Sequence, residues 1–326
     1  MQRTVVNFSS EFDKISPTDS ILLLGSCFSA NIGKALETHK FDVLYNPFGI
    51  VFHPFSIYTL LNRVIENKLY VENDFFERDG YWFSFELGSN TGKESLEEIV
   101  SWSNKQLELL QEYLKKSARL ILTFGTSFGF SNGNKIVGNC HKMDSKLFKK
   151  ELTTFLDLEN ESFAIIQALK TFNPKLIINL TVSPVRHTKE GIRENNVSKS
   201  MLLLLADSIE KQFPNIEYLP IYELVIDELR DYSFYKSDLI HVNENAIKYV
   251  WERFSDWIMN NESLKYVLSV NKILLQLNHK TLYPKSSSNI KFKNNLILLM
   301  KTHQKQFPNI WLREIKDLEK EVYLLG

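Results

Sequence analysis

Ser26, Asp238 and His241 are the residues of this chain whose types suit hydrolytic chemistry. A serine hydroxyl is a weak nucleophile at neutral pH until a base lies within hydrogen-bond reach, and that base needs a partner to fix its tautomer. Asp238 and His241 stand three positions apart in Asp238-Leu239-Ile240-His241. In one irregular turn this spacing lets the carboxylate meet imidazole Nδ1 and leaves Nε2 for Ser26. The serine lies about two hundred residues upstream, so the fold must bring it to them. The developing oxyanion needs donors. The amide of Ser26 near a helix start, and amides near Gly49 and Gly125 after expected strands, are candidates.

The elements that must position these groups follow from hydropathy patterning. Short apolar runs at 20–24, 41–45, 118–124, 175–182 and 216–219 read as strands covered on both faces. Amphipathic stretches at 54–67, 94–117, 159–172 and 194–213 read as helices between them, and 30–38 follows the serine turn as another. Asn243 caps a further expected helix carrying Ala246, Ile247, Val250, Trp251 and Phe254 inward. Alternation of this kind predicts a parallel sheet with helices on both sides, and ligands then bind at the carboxyl edge. Asp79-Gly80 within 70–87 predicts a β-hairpin, and 128–140 reads as a second hairpin or loop. Residues 262–278, 289–304 and 310–322 read as helices with no strand after them. The expected organisation is a catalytic α/β domain over 1–260 and a helical extension over 261–326, packed on the main domain or mediating homo-oligomer formation.

Bulk properties exclude several functions. The 326 residues carry 39 Lys+Arg and 39 Asp+Glu, which argues against a general nucleic-acid binder. No apolar run reaches the roughly 20 residues that cross a bilayer, so no membrane partner is expected. The start lacks the apolar centre of a secretory signal, and only two cysteines occur, which together predict a cytoplasmic protein. Neither the Rossmann nor the P-loop spacing is present. Cys140-His141 has no second cysteine pair or spaced histidine pair, short of a zinc site. No metal or organic cofactor is expected.

Six ordered motifs carry a family resemblance. They are Gly25-Ser26-Cys27-Phe28-Ser29, Asn46-Pro47-Phe48-Gly49-Ile50, Gly125-Thr126-Ser127, Asn139-Cys140-His141-Lys142, Ser183-Pro184-Val185-Arg186-His187 and Asp238-Leu239-Ile240-His241. Together they resemble the GSCFA family over about residues 20–257, and that family resembles the wider SGNH (GDSL-like) hydrolases. The resemblance implies a three-layer α/β/α fold with a five-stranded parallel sheet, flavodoxin-like, and a serine esterase. It implies Ser26 as nucleophile, His241 as base, Asp238 as its orienter, and Gly49 as an oxyanion-hole amide. SGNH enzymes usually have Gly-x-Asn-Asp where this chain has Gly125-Thr126-Ser127. The asparagine's donor role falls to the Ser127 hydroxyl, or to Asn139 or His141 from the following loop.

Other residues have competing readings. Ser26 is also a good helix cap. Cys27 is the nearest rival nucleophile, although the residue after the turn serine is expected to point back toward the core beside the site. His141 reads as a donor lining the site, with Gly125 and Thr126 beside it. Arg186 and His187 end a strong strand; Arg186 suits a carboxylate or phosphate, or an ion pair with a loop acid, and His187 is an alternative base. Tyr81-Trp82-Phe83-Ser84-Phe85 reads as a packed hairpin, or as a surface for a sugar or an acyl group. The expected substrate is a small acyl ester, by analogy an acetylated carbohydrate, cleaved through an acyl-enzyme. An O-acyltransferase with the same triad, and a non-catalytic binding or assembly protein on the same fold, are the alternatives.

Overall fold

The computed structural model describes residues 4–325; residues 1–3 and 326, which fall within the two regions assigned from the sequence, lie outside the described residues. The chain opens with β1 (Ser20–Gly25), α1 (Cys27–Thr38), β2 (Asp42–Tyr45) and α2 (Pro54–Ile65). A hairpin of β3 (Phe76–Arg78) and β4 (Tyr81–Phe83) precedes α3 (Leu96–Lys116) and β5 (Arg119–Phe124). There follow β6 (Phe128–Asn132), β7 (Lys135–Ile136), β8 (Lys149–Leu152), α4 (Phe155–Phe172), β9 (Ile177–Val182) and α5 (Ile192–Gln212). The rest is β10 (Ile216–Tyr218), the short α6 (Ile221–Glu223), α7 (Glu244–Ile258), α8 (Asn261–Leu277), α9 (Ser287–Gln306) and α10 (Leu312–Leu325).

The main sheet is five-stranded and parallel, in the order β10-β9-β5-β1-β2. Side chains alternate across β1, and the two faces feed different cores. Leu22 and Leu24 pack with Ile57 and Leu61 of α2, Leu110 of α3, Ile165 of α4 and Leu202 of α5. Ile21 and Leu23 pack with Ile32 of α1, Phe254 of α7 and Val270 of α8. This is a three-layer α/β/α arrangement, and each such fully buried leucine or isoleucine contributes roughly 1.5–3 kcal/mol from burial. Because β1 lies inside the sheet, with β5 on one side and the edge strand β2 on the other, its carboxyl end opens where the connections diverge. That is the switch point at which open α/β sheets form clefts.

The helices start where the sequence offers caps. Asn243 accepts from the Ala246 amide at 3.1 Å to begin α7. Thr154 accepts from Asp157 at 3.2 Å, so α4 begins earlier than its apolar periodicity indicates. The second hairpin gains a third strand, since β8 pairs antiparallel with β6. Its sequence, Lys149-Lys150-Glu151-Leu152, has no apolar alternation that would announce a strand.

The helical extension shares a core with the α/β layers. Tyr266, Leu296, Met300, Trp311 and Ile315 are buried in one cluster with Ile21 and Leu23 of β1. A hydrogen bond joins them too: Ser263 Oγ of α8 donates to Ile15 O at 2.7 Å. Among the described residues no helix is long and apolar enough to cross a membrane.

Candidate active site

The turn after β1 is fixed by Gly25. Its φ is +138°, and a Cβ there would lie 2.2 Å from Thr123 O of the neighbouring β5, so no larger residue fits. The Gly25 amide donates to Asn46 Oδ1 at 2.9 Å, tying the turn to the end of β2. Ser26 then caps α1. Its Oγ accepts from the Phe28 amide at 3.2 Å, its own amide donates to Thr123 O at 3.2 Å, and the residue is 3% exposed. Cys27 is the first helical residue and is only partly buried. Burial pushes its thiol up from the ordinary value, while its own backbone amide and the charge of Lys236 pull the other way. Among the described residues, the Cys27 amide donates to no oxygen.

Asp238 and His241 form the pair that their spacing predicts. Leu239, at φ +55°, closes a turn in which its amide donates to Lys236 O at 2.9 Å. Asp238 Oδ1 accepts from the amides of Ile240 and His241 at 2.9 and 3.0 Å. The other oxygen, Oδ2, meets His241 Nδ1 at 2.8 Å. The His241 amide, then the Ile240 amide and the imidazole, hold the Asp238 carboxyl well below its ordinary range. A charged acceptor at Nδ1 places the neutral imidazole's proton there and leaves the Nε2 lone pair free. Among the described residues Nε2 has no hydrogen-bond partner, and no hydrogen bond joins Ser26 to His241.

His241 borders a cavity of about 570 Å³. Phe52, Phe128, Phe130, Met143 and Phe148 give it an apolar wall, and Arg186, His187 and Ile240 complete the side next to His241. Arg186 is locked to this turn, its amide donating to Ile240 O at 3.4 Å. His187 lies against Phe52 with ring centroids 5.1 Å apart. Burial first, then the charges of Lys199, His241 and Lys150, depress it to about 3, so His187 is neutral at physiological pH.

The floor rests on groups that sequence reasoning missed. Lys199 of α5 is buried and donates to Gly125 O and, at 2.6 Å, to Ser183 O, the residues just past the ends of β5 and β9. Burial lowers its ammonium to about 7. His53 caps α2 by accepting from the Phe55 amide, and its Nε2 meets Thr153 Oγ1 at 3.0 Å; burial lowers it to about 4. Lys199 shares the helical face of Leu202 and Ala206, three and seven positions on, so the periodicity of α5 marks its position as buried, although not the two carbonyls it meets.

Several expected site residues stand elsewhere or are already engaged. The Ser127 hydroxyl is fully buried and bonds Ser198 Oγ at 3.0 Å, so it faces α5 and not the cavity. The Gly49 amide donates to Asn46 O at 2.9 Å, and its φ of +77° closes that turn. The Ser26 amide is likewise held by Thr123. His141 is a further correction. Its Nε2 meets Ser84 O at 2.8 Å and its ring stacks on Phe83 at 4.8 Å, so it packs the first hairpin and is not part of the cavity wall. Tyr81-Trp82-Phe83 pairs in that hairpin as expected. Asn139 does line the cavity; its Oδ1 accepts from the His141 amide at 2.7 Å, which leaves its carboxamide NH₂ as a donor. Thr126 lines it as well, with Oγ1 2.9 Å from Ser198 Oγ, while Gly125 is close behind, its amide on Phe52 O at 2.7 Å.

The chain matches no curated protein. The model of the GSCFA family, however, matches residues 20–254, from the start of β1 to within α7, and so takes in Ser26, the cavity and the Asp238–His241 pair. The chain belongs to the GSCFA family.

Proposed function

We propose that this protein is an ester hydrolase working by acyl transfer, with SGNH-like chemistry. One observation carries the reading: the 2.8 Å contact of Asp238 with His241 Nδ1, on a histidine that borders an apolar cavity and keeps Nε2 unengaged. In this reading Ser26 Oγ attacks the ester carbonyl and His241 Nε2 takes its proton. The C–O bond of the ester breaks, and the leaving alcohol receives that proton from the imidazolium. Water, or a hydroxyl acceptor, then attacks the acyl-serine with His241 again as base. Asp238 stabilises the imidazolium throughout. Ser26 must first release the Phe28 amide, which a rotation about χ1 achieves. The Cys27 amide at the start of α1, turned from its own thiol to the substrate, and the Asn139 carboxamide supply the oxyanion donors. The two cysteines are free thiols, which suits a reducing, cytoplasmic setting.

A second reading makes Cys27 the nucleophile. It is favoured by the engagement of Ser26 Oγ as a cap at 3% exposure, next to a partly exposed thiol on which Lys236 acts. Labelling separates the two. A fluorophosphonate probe that modifies Ser26 and stops ester turnover supports the first reading. Iodoacetamide that modifies Cys27 and stops turnover, with Ser26 unlabelled, supports the second. A folded protein that turns over no ester and takes up neither probe refutes hydrolase function.

A further inference from the structure

Basic side chains stand on the cavity wall, with Arg186 and Lys189 both lining it.

Arg186 is the sharpest of these groups. Its guanidinium packs over the ring of Tyr235 at 4.6 Å and near that of Tyr232 at 5.6 Å. One N–H reaches Tyr235 Oη at 3.4 Å. Among the described residues Arg186 has no carboxylate partner, so most of its five donors are unused. Buried arginines elsewhere in the molecule are treated differently. Arg63 is held by both Asp74 and Glu86, and Arg119 faces Glu217. A partly buried guanidinium packed on two neighbouring tyrosine rings, with its fork unfilled, matches the planar geometry of a carboxylate or phosphate.

The other wall sets the rest of the ligand. Phe52, Phe128, Phe130, Met143 and Phe148 offer few hydrogen bonds, and about 570 Å³ is far more room than an acetyl group fills. We infer that the substrate is an amphipathic anion, an ester with an apolar body in this cavity and a carboxylate or phosphate on Arg186. The assignment of an ester rests on the hydrolase reading above; the anion site itself does not.

Binding to the full-length chain tests it without turnover. The probes are 4-phenylbutyrate, 3-phenylpropyl phosphate and the neutral 4-phenylbutan-1-ol, measured by calorimetry. At least one anion is expected to bind about tenfold or more tighter than the alcohol, and the tighter one identifies the head group. In Arg186→Gln that preference disappears while alcohol binding is unchanged; Arg186→Lys keeps part of it. Raised salt weakens the wild type's anion preference, a readout that needs no variant. Equal binding of anions and alcohol by wild type overturns the inference, as does an Arg186→Gln variant with an unchanged preference. The two claims fail separately. Anion-selective binding with no ester turnover refutes the hydrolase and keeps the site. Turnover of neutral esters with equal binding of all three probes does the reverse.

Discussion

Ser26 has two roles in this structure, and they can be separated by two substitutions. As a cap, its Oγ accepts from the Phe28 amide. Ser26→Ala removes that acceptor and is expected to cost about 1 kcal/mol of stability. Asparagine caps helices as well as serine does, so Ser26→Asn is expected to restore nearly all of it. As nucleophile, Ser26 cannot be replaced by either residue, and both variants should lose turnover by about 10,000-fold or more. That loss is about 5.5 kcal/mol of transition-state stabilisation, several times the cap energy. Urea unfolding reads the first quantity, and hydrolysis of a chromogenic butyrate ester reads the second. The expected pattern is Ser26→Asn stable and inactive. A Ser26→Asn protein with wild-type stability and wild-type turnover would refute the nucleophile assignment and leave Ser26 a cap alone.

Three other outcomes are expected. Asp238→Asn should leave the fold intact and reduce ester turnover about 10,000-fold, because an amide no longer enforces the Nδ1–H tautomer of His241; unchanged kinetics would remove Asp238 from the mechanism. Folded His53 titrates at about 4 against 6.5 unfolded, so the unfolded chain takes up the proton first and stability falls by about 1.4 kcal/mol per pH unit as pH drops from 6.5 toward 4. His53→Asn keeps an acceptor for the Phe55 amide, and the difference in unfolding free energy between pH 7 and 5 should shrink by about 2 kcal/mol; an undiminished difference contradicts this. Gly25→Ala would put a methyl 2.2 Å from Thr123 O and is expected to cost about 3 kcal/mol or more, visible as a lowered urea midpoint.

The five parallel strands were legible because each is a short apolar run bounded by polar residues, as in Ile177–Val182. The Asp238–His241 contact was legible because both partners lie within one turn, where spacing alone fixes geometry. Long-range placement was not. Whether Ser127 faces the cavity or α5 depends on Ser198, which is 71 positions away. His141 faces the hairpin because Phe83 and Ser84 are folded over it, and no local pattern encodes that. The partners of Lys199 were invisible for the same reason: they are two carbonyls contributed by strand ends far from it in the chain.

The inclusion of Trp311 and Ile315 in the cluster that covers Ile21 and Leu23 has a consequence for biosynthesis. Synthesis runs at about 5–20 residues per second, so that cluster is completed on the order of tens of seconds after β1 has been made. Until then α8 and α9 present Tyr266, Leu296 and Met300 without the last of the residues buried with them. Premature termination before α10 would leave that helical face open even though every residue from Ser26 to His241 had been translated.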